Sequence, residues 1–276
     1  MRAWSRERRG RGESVAFVPT MGFLHEGHLS LIRGALELAD HVVVSIYVNP
    51  SQFAPSEDFE TYPRDTQGDL SALETLGCSA VFTPKSLYSN GGVEAHNTWI
   101  DVQDLSTPMC GVSRPHFFRG VATVVAKLFH IVEPDIAVFG DKDYQQRRVI
   151  ERMVEELDMS VQVVGLPIVR EADGLAMSSR NVRLSPEDRK RARAVPESLE
   201  LAERLIESGE RDVTSICHAV RSHIEQSGGV VDYVALVDPS SLETPEQVEG
   251  PVRVAVAALF GGVRLIDNRP IDSASS

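Results

Sequence analysis

The stretch SVAFVPTMGFLHEGHLSLIRGALELADHVVVSIYV, residues 14–48, decides the fold. Its first seven residues are mostly apolar and rich in branched side chains, which indicates a short strand that ends near Pro19. Apolar residues then recur at helical spacing over residues 27–40. Residues 41–48 form a nearly continuous apolar run, typical of a strand that is buried on both faces. The order strand, helix, strand is the unit from which parallel sheets are built.

The alternation of strands and helices continues to about residue 167. We predict helices near 65–76, 119–132 and 143–157 and strands at 78–84, 135–140 and 161–167, with an extra strand around NTWIDV, residues 97–102. Right-handed crossovers between such strands generate a Rossmann-like, doubly wound parallel sheet of the α/β class, which we expect over residues 1–169. Sheets of this kind bind ligands at the carboxyl ends of their strands.

The pattern changes after about residue 170. A charged helix over 186–208 and a shorter helix over 213–226 precede two apolar segments, VVDYVALVD and VRVAVAALFGGVRLIDN. The second segment contains Gly261-Gly262, a hairpin signal between two strands. We therefore predict a smaller C-terminal α+β domain with an antiparallel sheet over residues 170–276, which acts as a lid.

The composition excludes several classes of function. The 276 residues carry a formal net charge of −12, which argues against a nucleic-acid partner because the phosphate backbone requires a basic face. No apolar run approaches the roughly 20 residues that span a bilayer, so we expect no membrane partner. Three widely spaced cysteines exclude a dense disulfide framework and fit a reducing, cytoplasmic location. We interpret the Arg-rich N-terminus as a lead-in to the first strand and not as a targeting peptide.

Two histidines, His25 and His28, lie where the first strand gives way to a helix, with Gly27 between them. The unpaired N–H groups and the dipole of a helix N-terminus attract phosphate, and two imidazoles add hydrogen-bond donors. Gly27 would let a ligand approach the backbone closely. Two other interpretations stay open. One is a metal site, although metalloproteases of the HExxH type use an i,i+4 pair and no third ligand is evident here. The other is a purely structural role.

Polar residues also follow two later strands. Asn49 and Gln52 are uncharged hydrogen-bonding groups after the second strand, suited to a substrate with hydroxyl or carboxylate groups. Lys142 offers a point charge for phosphate, Asp143 can accept from ribose hydroxyls, and Gln145 can reach a substrate pocket. Taken alone, the segment with Asn49 and Gln52 is equally compatible with an ordinary Asn-Pro turn, and the segment with Lys142 and Asp143 is more typical of a solvated turn.

A third polar segment, DGLAMSSRN, residues 173–181, lies near the predicted domain boundary. Ser178, Ser179 and Arg180 form a dense set of donors, and an arginine can engage phosphate oxygens through two hydrogen bonds. A loop at such a boundary can close over a triphosphate and exclude water.

Six motifs occur in order along the chain: PTMGFLHEGHLSL, VSIYVNPSQF, EDFETYPRD, FFRGVATVVAKLF, FGDKDYQQ and DGLAMSSRN. In this order they resemble the pantothenate synthetase (pantoate–β-alanine ligase) family of the HxGH-containing, nucleotidyltransferase-like superfamily. The resemblance spans roughly residues 15–270, including VDYVALVD and the terminal RLIDN. The sequences FFRGVAT and SSRNVRLS are most similar to those of plant and algal members.

The resemblance implies a two-step reaction. The carboxylate of pantoate attacks the α-phosphate of ATP and gives pantoyl adenylate and pyrophosphate. The amine of β-alanine then attacks the acyl carbon and releases AMP and pantothenate. The enzyme contributes positioning and charge stabilisation. Mg²⁺ accompanies ATP and is held mainly by phosphates and water. Family members are commonly homodimers, and the same is expected here.

The resemblance also implies roles for individual residues. The catalytic residues are His28, His25, Lys142 and Arg180, with the histidines stabilising charge on the α-phosphate and the leaving pyrophosphate. The ATP-binding residues are Met21, Gly22, His25, Gly27, His28, Gly140, Lys142, Asp143, Val169, Met177, Ser178, Ser179 and Arg180. The substrate-binding residues are Gln52, Gln145, Asn49, Met21 and Tyr62. Asp69 is the expected protein contact to Mg²⁺.

The chain departs from the family pattern in three places. Many members have His immediately before FRG, whereas this chain has Phe117, so the role of that histidine does not carry over. Asp141 stands where many members have Glu, and it keeps the charge with a shorter reach. The segment before the first strand is expected to be shortened.

Two alternative functions stay open. One is a nucleotidyltransferase of the HxGH class, which the neutral Gln52 and Gln145 disfavour because a phosphorylated acceptor calls for more Lys or Arg. The other is a catalytically inactive nucleotide-binding protein, for which Phe117 is the only sign.

Overall fold

The computed structural model describes residues 1–54, 57–88 and 92–272. In chain order, its helices and strands are α1 (Arg2–Gly10), β1 (Val15–Thr20), α2 (Glu26–Leu38), β2 (His41–Ile46), α3 (Thr66–Leu76), β3 (Ala80–Phe82), α4 (Gln103–Ser106), α5 (Cys110–Ser113), α6 (Phe117–Val132), β4 (Ile136–Gly140), α7 (Tyr144–Glu156), β5 (Gln162–Leu166), α8 (Pro186–Ala192), α9 (Ala194–Glu207), α10 (Val213–Gln226), β6 (Val230–Val237), β7 (Val252–Phe260) and β8 (Val263–Ile271). Short 3₁₀ turns cover Pro50–Gln52, Asp141–Asp143 and Asn181–Arg183.

The N-terminal half forms the predicted parallel sheet. Its strand order is β3-β2-β1-β4-β5, and each neighbouring pair is parallel. The central strand β1 is almost entirely buried, as expected for a strand covered by helices on both faces. The strand order reverses between β1 and β4, which makes that point the topological switch of a doubly wound sheet. The predicted fold class is confirmed.

The C-terminal region forms the predicted antiparallel sheet, in the order β6-β7-β8. Gly261 and Gly262 join β7 to β8 with φ angles of 55° and 79°, a left-handed pair that suits glycine. Helices α9 and α10 pack on the sheet around a core that includes Leu199, Ile216 and Val254. The small α+β fold is therefore also confirmed.

The chain divides into two compact units that are not continuous in sequence. The N-terminal unit comprises 1–106, 114–141 and 146–168, and the C-terminal unit comprises 107–113, 142–145 and 169–276. We predicted continuous domains of 1–169 and 170–276. Two short segments of the first half, Thr107–Ser113 and Lys142–Gln145, instead cluster with the C-terminal unit.

Two predicted elements are wrong. The NTWIDV segment forms no strand, and the N–H of Ile100 donates to the side chain of Thr123 in α6 (3.0 Å) instead of to a ladder partner. The helix predicted over 186–208 is two helices, α8 and α9, separated at Arg193. Pro196 explains the break because it has no N–H to donate to the carbonyl four residues earlier. Within the described part of the chain, no helix is both long and apolar enough to cross a membrane.

Candidate active site

The carboxyl edge of the parallel sheet carries the first candidate site. Helix α2 begins at Glu26, six residues after the end of β1, with His25 as its N-cap residue. Gly140 ends β4 and lies against α2, since a Cβ at this glycine would be 3.7 Å from Leu31. The N-terminus of α2 is therefore placed at the switch between β1 and β4, where doubly wound sheets bind ligands. Such an end attracts anions through its N–H groups and its dipole.

The two histidines of HEGH lie side by side at this helix end. Their ring centroids are 4.0 Å apart, and the backbone N–H of His25 donates to Nδ1 of His28 (3.3 Å). An Nδ1 that accepts a hydrogen bond sets the neutral imidazole in the tautomer with the proton on Nε2. His28 is thus oriented as an Nε2–H donor. Gly27 lies in the first turn of the helix, between the two histidines.

Asp69 of α3 shapes the loop between β1 and α2. Its carboxylate is 4% exposed and accepts the backbone N–H groups of Phe23 (2.8 Å) and Leu24 (2.7 Å). Gly22 has a φ of 84°, and a Cβ there would lie 2.9 Å from Oδ2 of Asp69. Only glycine fits this position without strain. The predicted contact from Asp69 to Mg²⁺ stays a prediction, and both oxygens of this carboxylate have a structural use.

Gln52 and Met21, both predicted to bind substrate, are in contact. The Gln52 amide donates to Sδ of Met21 (3.4 Å), and its oxygen accepts from the Asn49 amide (3.0 Å). Asn49 is 1% exposed, donates to the carbonyl of Gly120 (3.3 Å) and accepts from the hydroxyl of Tyr88 (2.9 Å). These contacts indicate that Asn49 orients Gln52.

Two further contacts support this arrangement around Asn49. Burial raises the pKa of Tyr88 to about 12, so that its hydroxyl remains a donor at neutral pH. Gly120, within the FFRG motif, allows α6 to approach closely, since a Cβ there would lie 2.4 Å from the carbonyl oxygen of Ser51. The sequence did not identify Tyr88, and the motif that contains Gly120 was noted without a role for the glycine.

Phe117, which replaces the histidine found in many family members, packs against Arg114. The Arg114 guanidinium pairs with Glu57 (2.6 and 2.7 Å) and donates to the backbone carbonyl of Gln52 (3.1 Å). The ring of Phe117 lies 3.8 Å from the centre of that guanidinium, a cation–π contact. Phe117 therefore packs on the arginine that holds the backbone of Gln52. Tyr62, also predicted to bind substrate, is 6% exposed and packs edge-on against Phe53, which follows Gln52.

The C-terminal unit carries the predicted residues of the FGDKDYQQ motif from Lys142 onward. Lys142 and Asp143 lie in a 3₁₀ turn, with Nζ of Lys142 3.9 Å from the Asp143 carboxylate. Gln145 is 6% exposed, accepts the N–H of Cys110 (3.2 Å) and donates to the carbonyl of Pro108 (2.7 Å). The backbone of residues 108–110 thus fixes the orientation of the Gln145 amide.

The same unit carries the loop from Val169 to Arg180. Val169 accepts the N–H of Met177 (3.0 Å), and Arg170 forms a β-bridge with Ala176, so that the loop closes at its base. The N–H of Arg180 donates to the Ser178 hydroxyl (3.3 Å). Ser179 is 7% exposed. The predicted residues Val169, Met177, Ser178, Ser179 and Arg180 are therefore brought together in one short, closed loop.

The chain is similar over nearly its whole length to one family of known proteins. The family model for pantoate–β-alanine ligase matches residues 1–270. A pantoate–β-alanine ligase of Oryza sativa subsp. japonica is 52% identical, over 100% of this chain and 95% of the relative. The pantothenate synthetase of Thermus thermophilus superposes with a TM-score of 0.89 at 42% identity, covering 96% of each chain.

A second solved structure was determined with ligands. The pantoate–β-alanine ligase of Francisella tularensis, complexed with β-γ ATP and β-alanine, has a TM-score of 0.79 at 32% identity and covers 96% of this chain and 94% of its own. The full-length match, the high identity and the shared fold together establish that this chain belongs to the pantoate–β-alanine ligase family.

Proposed function

We propose that this chain condenses pantoate with β-alanine in an ATP-dependent reaction and so forms pantothenate. Pantoyl adenylate is the intermediate, and pyrophosphate and AMP are released. The observation that carries the proposal is the adjacent pair His25 and His28 at the N-terminus of α2, at the switch point of the sheet, in a chain that belongs to the ligase family.

In the first step, a carboxylate oxygen of pantoate bonds to the α-phosphorus of ATP, and the bond from that phosphorus to the bridging oxygen of pyrophosphate breaks. Negative charge increases on the α-phosphate and on the leaving group. The Nε2–H of His28 and the dipole of α2 stabilise that charge. Lys142 supplies a point charge, and Arg180 with Ser178 and Ser179 grips phosphate oxygens. The further residues that we propose to contact ATP are Met21, Gly22, Gly27 and Gly140 of the N-terminal unit and Asp143, Val169 and Met177 of the C-terminal unit.

In the second step, the β-alanine nitrogen bonds to the acyl carbon, and the bond from that carbon to the AMP oxygen breaks. The amine loses a proton to solvent or to a neighbouring base. Gln52 and Gln145 recognise the hydroxyl and carboxylate groups of pantoate, and Asn49 and Tyr62 are further substrate-binding residues, with Asn49 orienting Gln52. Amide groups whose orientation is fixed in this way position the substrate before the reaction, which lowers the entropic cost of reaching the transition state. A nucleotidyltransferase with a phosphorylated acceptor is not favoured, because both glutamines are neutral.

ATP enters as its Mg²⁺ complex. Among residues 1–54, 57–88 and 92–272, no cluster of three or more His, Cys, Asp or Glu side chains forms a metal site. Asp69 already binds two backbone N–H groups. Magnesium bound with ATP would be held mainly by phosphate oxygens and water, and the contact from Asp69 to the ion stays a prediction. Homodimer formation, a cytoplasmic location and the action of residues 170–276 as a lid stay predictions.

The test is an assay of the purified protein with pantoate, β-alanine and Mg-ATP. We expect equimolar AMP and pantothenate, and exchange of labelled pyrophosphate into ATP that requires pantoate. Absence of AMP from folded protein would contradict the proposed ligase. Exchange that proceeds without pantoate, but with a phosphorylated acceptor, would favour the nucleotidyltransferase.

A further inference from the structure

The terminal motif RLIDN, residues 264–268, resembles the family but has no role in the proposed mechanism. We propose that its last two residues, Asp267 and Asn268, are positioning residues that each hold one of the two nucleotide-binding segments of the C-terminal unit. Asn268 holds the turn with Lys142, and Asp267 holds the loop from Val169 to Arg180. This inference rests on the proposed function, because it is that function which makes both segments nucleotide-binding.

Asn268 is hydrogen-bonded to the backbone of the turn that contains Lys142. It is 4% exposed, and its amide donates to the carbonyl of Lys142 (3.0 Å). Its oxygen accepts from Arg253, whose guanidinium lies 3.6 Å from the ring of Tyr144. The Tyr144 hydroxyl donates to the carbonyl of Pro239 (2.7 Å). The sheet therefore holds residues 142–144 at two points, which restricts the direction in which the Lys142 side chain leaves the backbone.

Asp267 is hydrogen-bonded to Arg170, at the base of the loop from Val169 to Arg180. Its side chain is fully buried and accepts two hydrogen bonds from the Arg170 guanidinium (2.6 and 3.0 Å). Arg170 also donates to the carbonyl of Gly174 (3.0 Å), across the turn of the loop. Burial raises the pKa of Asp267, and the Arg170 ion pair opposes that rise. One carboxylate thus fixes the arginine that keeps the base of the loop closed.

The position of these two residues on β8 explains how neighbours can reach separate segments. Successive side chains of a strand point to opposite faces of a sheet. Arg269, two residues after Asp267 and on the same face, pairs with Glu200 and Glu203 of α9. Asn268 points to the other face and reaches Lys142. The N–H of Asn268 also donates to the Asp267 carboxylate (2.8 Å), which couples the two contacts.

The test compares ATP affinity in Asn268→Ala and Asn268→Asp. Both variants lack the amide that donates to Lys142. The second keeps the side-chain size and the oxygen that accepts from Arg253, so it reports on the contact even if the first does not fold. We expect both to raise the KM for ATP, and the Kd for ATP by calorimetry, about three- to tenfold, as loss of one hydrogen bond predicts. The KM values for pantoate and β-alanine should change less than about twofold. Asp267→Asn should weaken ATP binding to a similar extent.

Arg269→Ala is the matched control, because it removes an ion pair on the same strand without touching either segment. It should lower the melting temperature while leaving the KM for ATP within about twofold of the original value. The inference is overturned if Asn268→Ala and Asn268→Asp lower the melting temperature but leave ATP affinity unchanged. Calorimetry with ATP alone separates this result from failure of the proposed function, which would appear in the original protein as absence of pantothenate.

Discussion

Asp69→Asn is the substitution that most sharply separates two roles for one residue. Family resemblance suggests that Asp69 contacts Mg²⁺, whereas the structure has its two carboxylate oxygens accepting from Phe23 and Leu24 at 2.8 and 2.7 Å. Asparagine keeps the size of the side chain but replaces one oxygen by an NH₂ group. That group cannot accept, so one backbone N–H of the loop would face another donor.

The magnitude follows from these contacts. A hydrogen bond to a charged group contributes about 1.5–3 kcal/mol, and an unmade buried bond carries a similar penalty. We therefore expect Asp69→Asn to destabilise the N-terminal unit by about 2 kcal/mol, or roughly 4–8 °C in melting temperature. The loop carries Met21 and leads directly into His25, so displacement of its backbone should slow adenylate formation between about ten- and a hundredfold.

The assay is pantoate-dependent pyrophosphate exchange, measured against Mg²⁺ concentration at saturating ATP, together with thermal unfolding. If Asp69 shapes the loop, exchange falls at every Mg²⁺ concentration and the half-saturating concentration does not change. A severalfold rise in that concentration with an unchanged melting temperature would refute our argument and establish Asp69 as a metal contact.

Asp65→Asn is the matched control for this experiment. Asp65 is the N-cap of the same helix and accepts from the N–H of Gly68 (3.0 Å). Asparagine caps helices about as well as aspartate. We therefore expect little change in either the exchange rate or the melting temperature.

Three further predictions concern other residues. His28→Ala should reduce pyrophosphate exchange on the order of a hundredfold, with only a small fall in melting temperature from the lost hydrogen bond to the N–H of His25; a collapse of that temperature would favour the structural interpretation. Phe117→His keeps a ring over Arg114, so kcat should change less than about twofold. Phe117→Ala should reduce kcat by more than that, because the cation–π contact is lost. A large gain of kcat in Phe117→His would show that Phe117 impairs turnover. Burial raises the pKa of Cys78 to about 11, so that about 0.1% is thiolate at pH 8, and iodoacetamide should label Cys78 far more slowly than a free cysteine. Because the pKa of Cys78 is higher in the folded than in the unfolded protein, its contribution to the free energy of unfolding is complete below the unfolded pKa. That contribution is lost as the pH rises towards 11, so urea titrations should give a smaller free energy of unfolding at pH 10.5 than at pH 8.

Local patterns were sufficient for most of the fold. The apolar run of β2 and the helical spacing of α2 reflect burial that repeats with the period of each element, so they can be recognised without any partner. The hairpin at Gly261-Gly262 was predicted because a left-handed turn restricts residue type at the turn itself. NTWIDV was misassigned because its partner is a side chain, Thr123, and not another strand.

The candidate site was predicted only in part. The contact between His25 and His28 depends only on local sequence, because two residues three positions apart at the start of a helix have neighbouring side chains. The role of Asp69 was not predictable, because the loop that it holds lies more than forty positions away in sequence. The contact of Phe117 with Arg114 was also not predictable, because a cation–π pair leaves no periodic pattern in the sequence.

The sequence by itself determined the parallel and antiparallel sheets, the helix that begins at HEGH, and membership of the ligase family through six motifs in a characteristic order. Only the tertiary structure decided which residues hold those motifs in place. It assigned Asp69 to the loop before His25, Asn268 to the carbonyl of Lys142, and Asp267 to Arg170. The physical reason is that periodicity and turn chemistry act between neighbours in sequence, whereas a buried hydrogen bond depends on groups that meet only after the chain has folded.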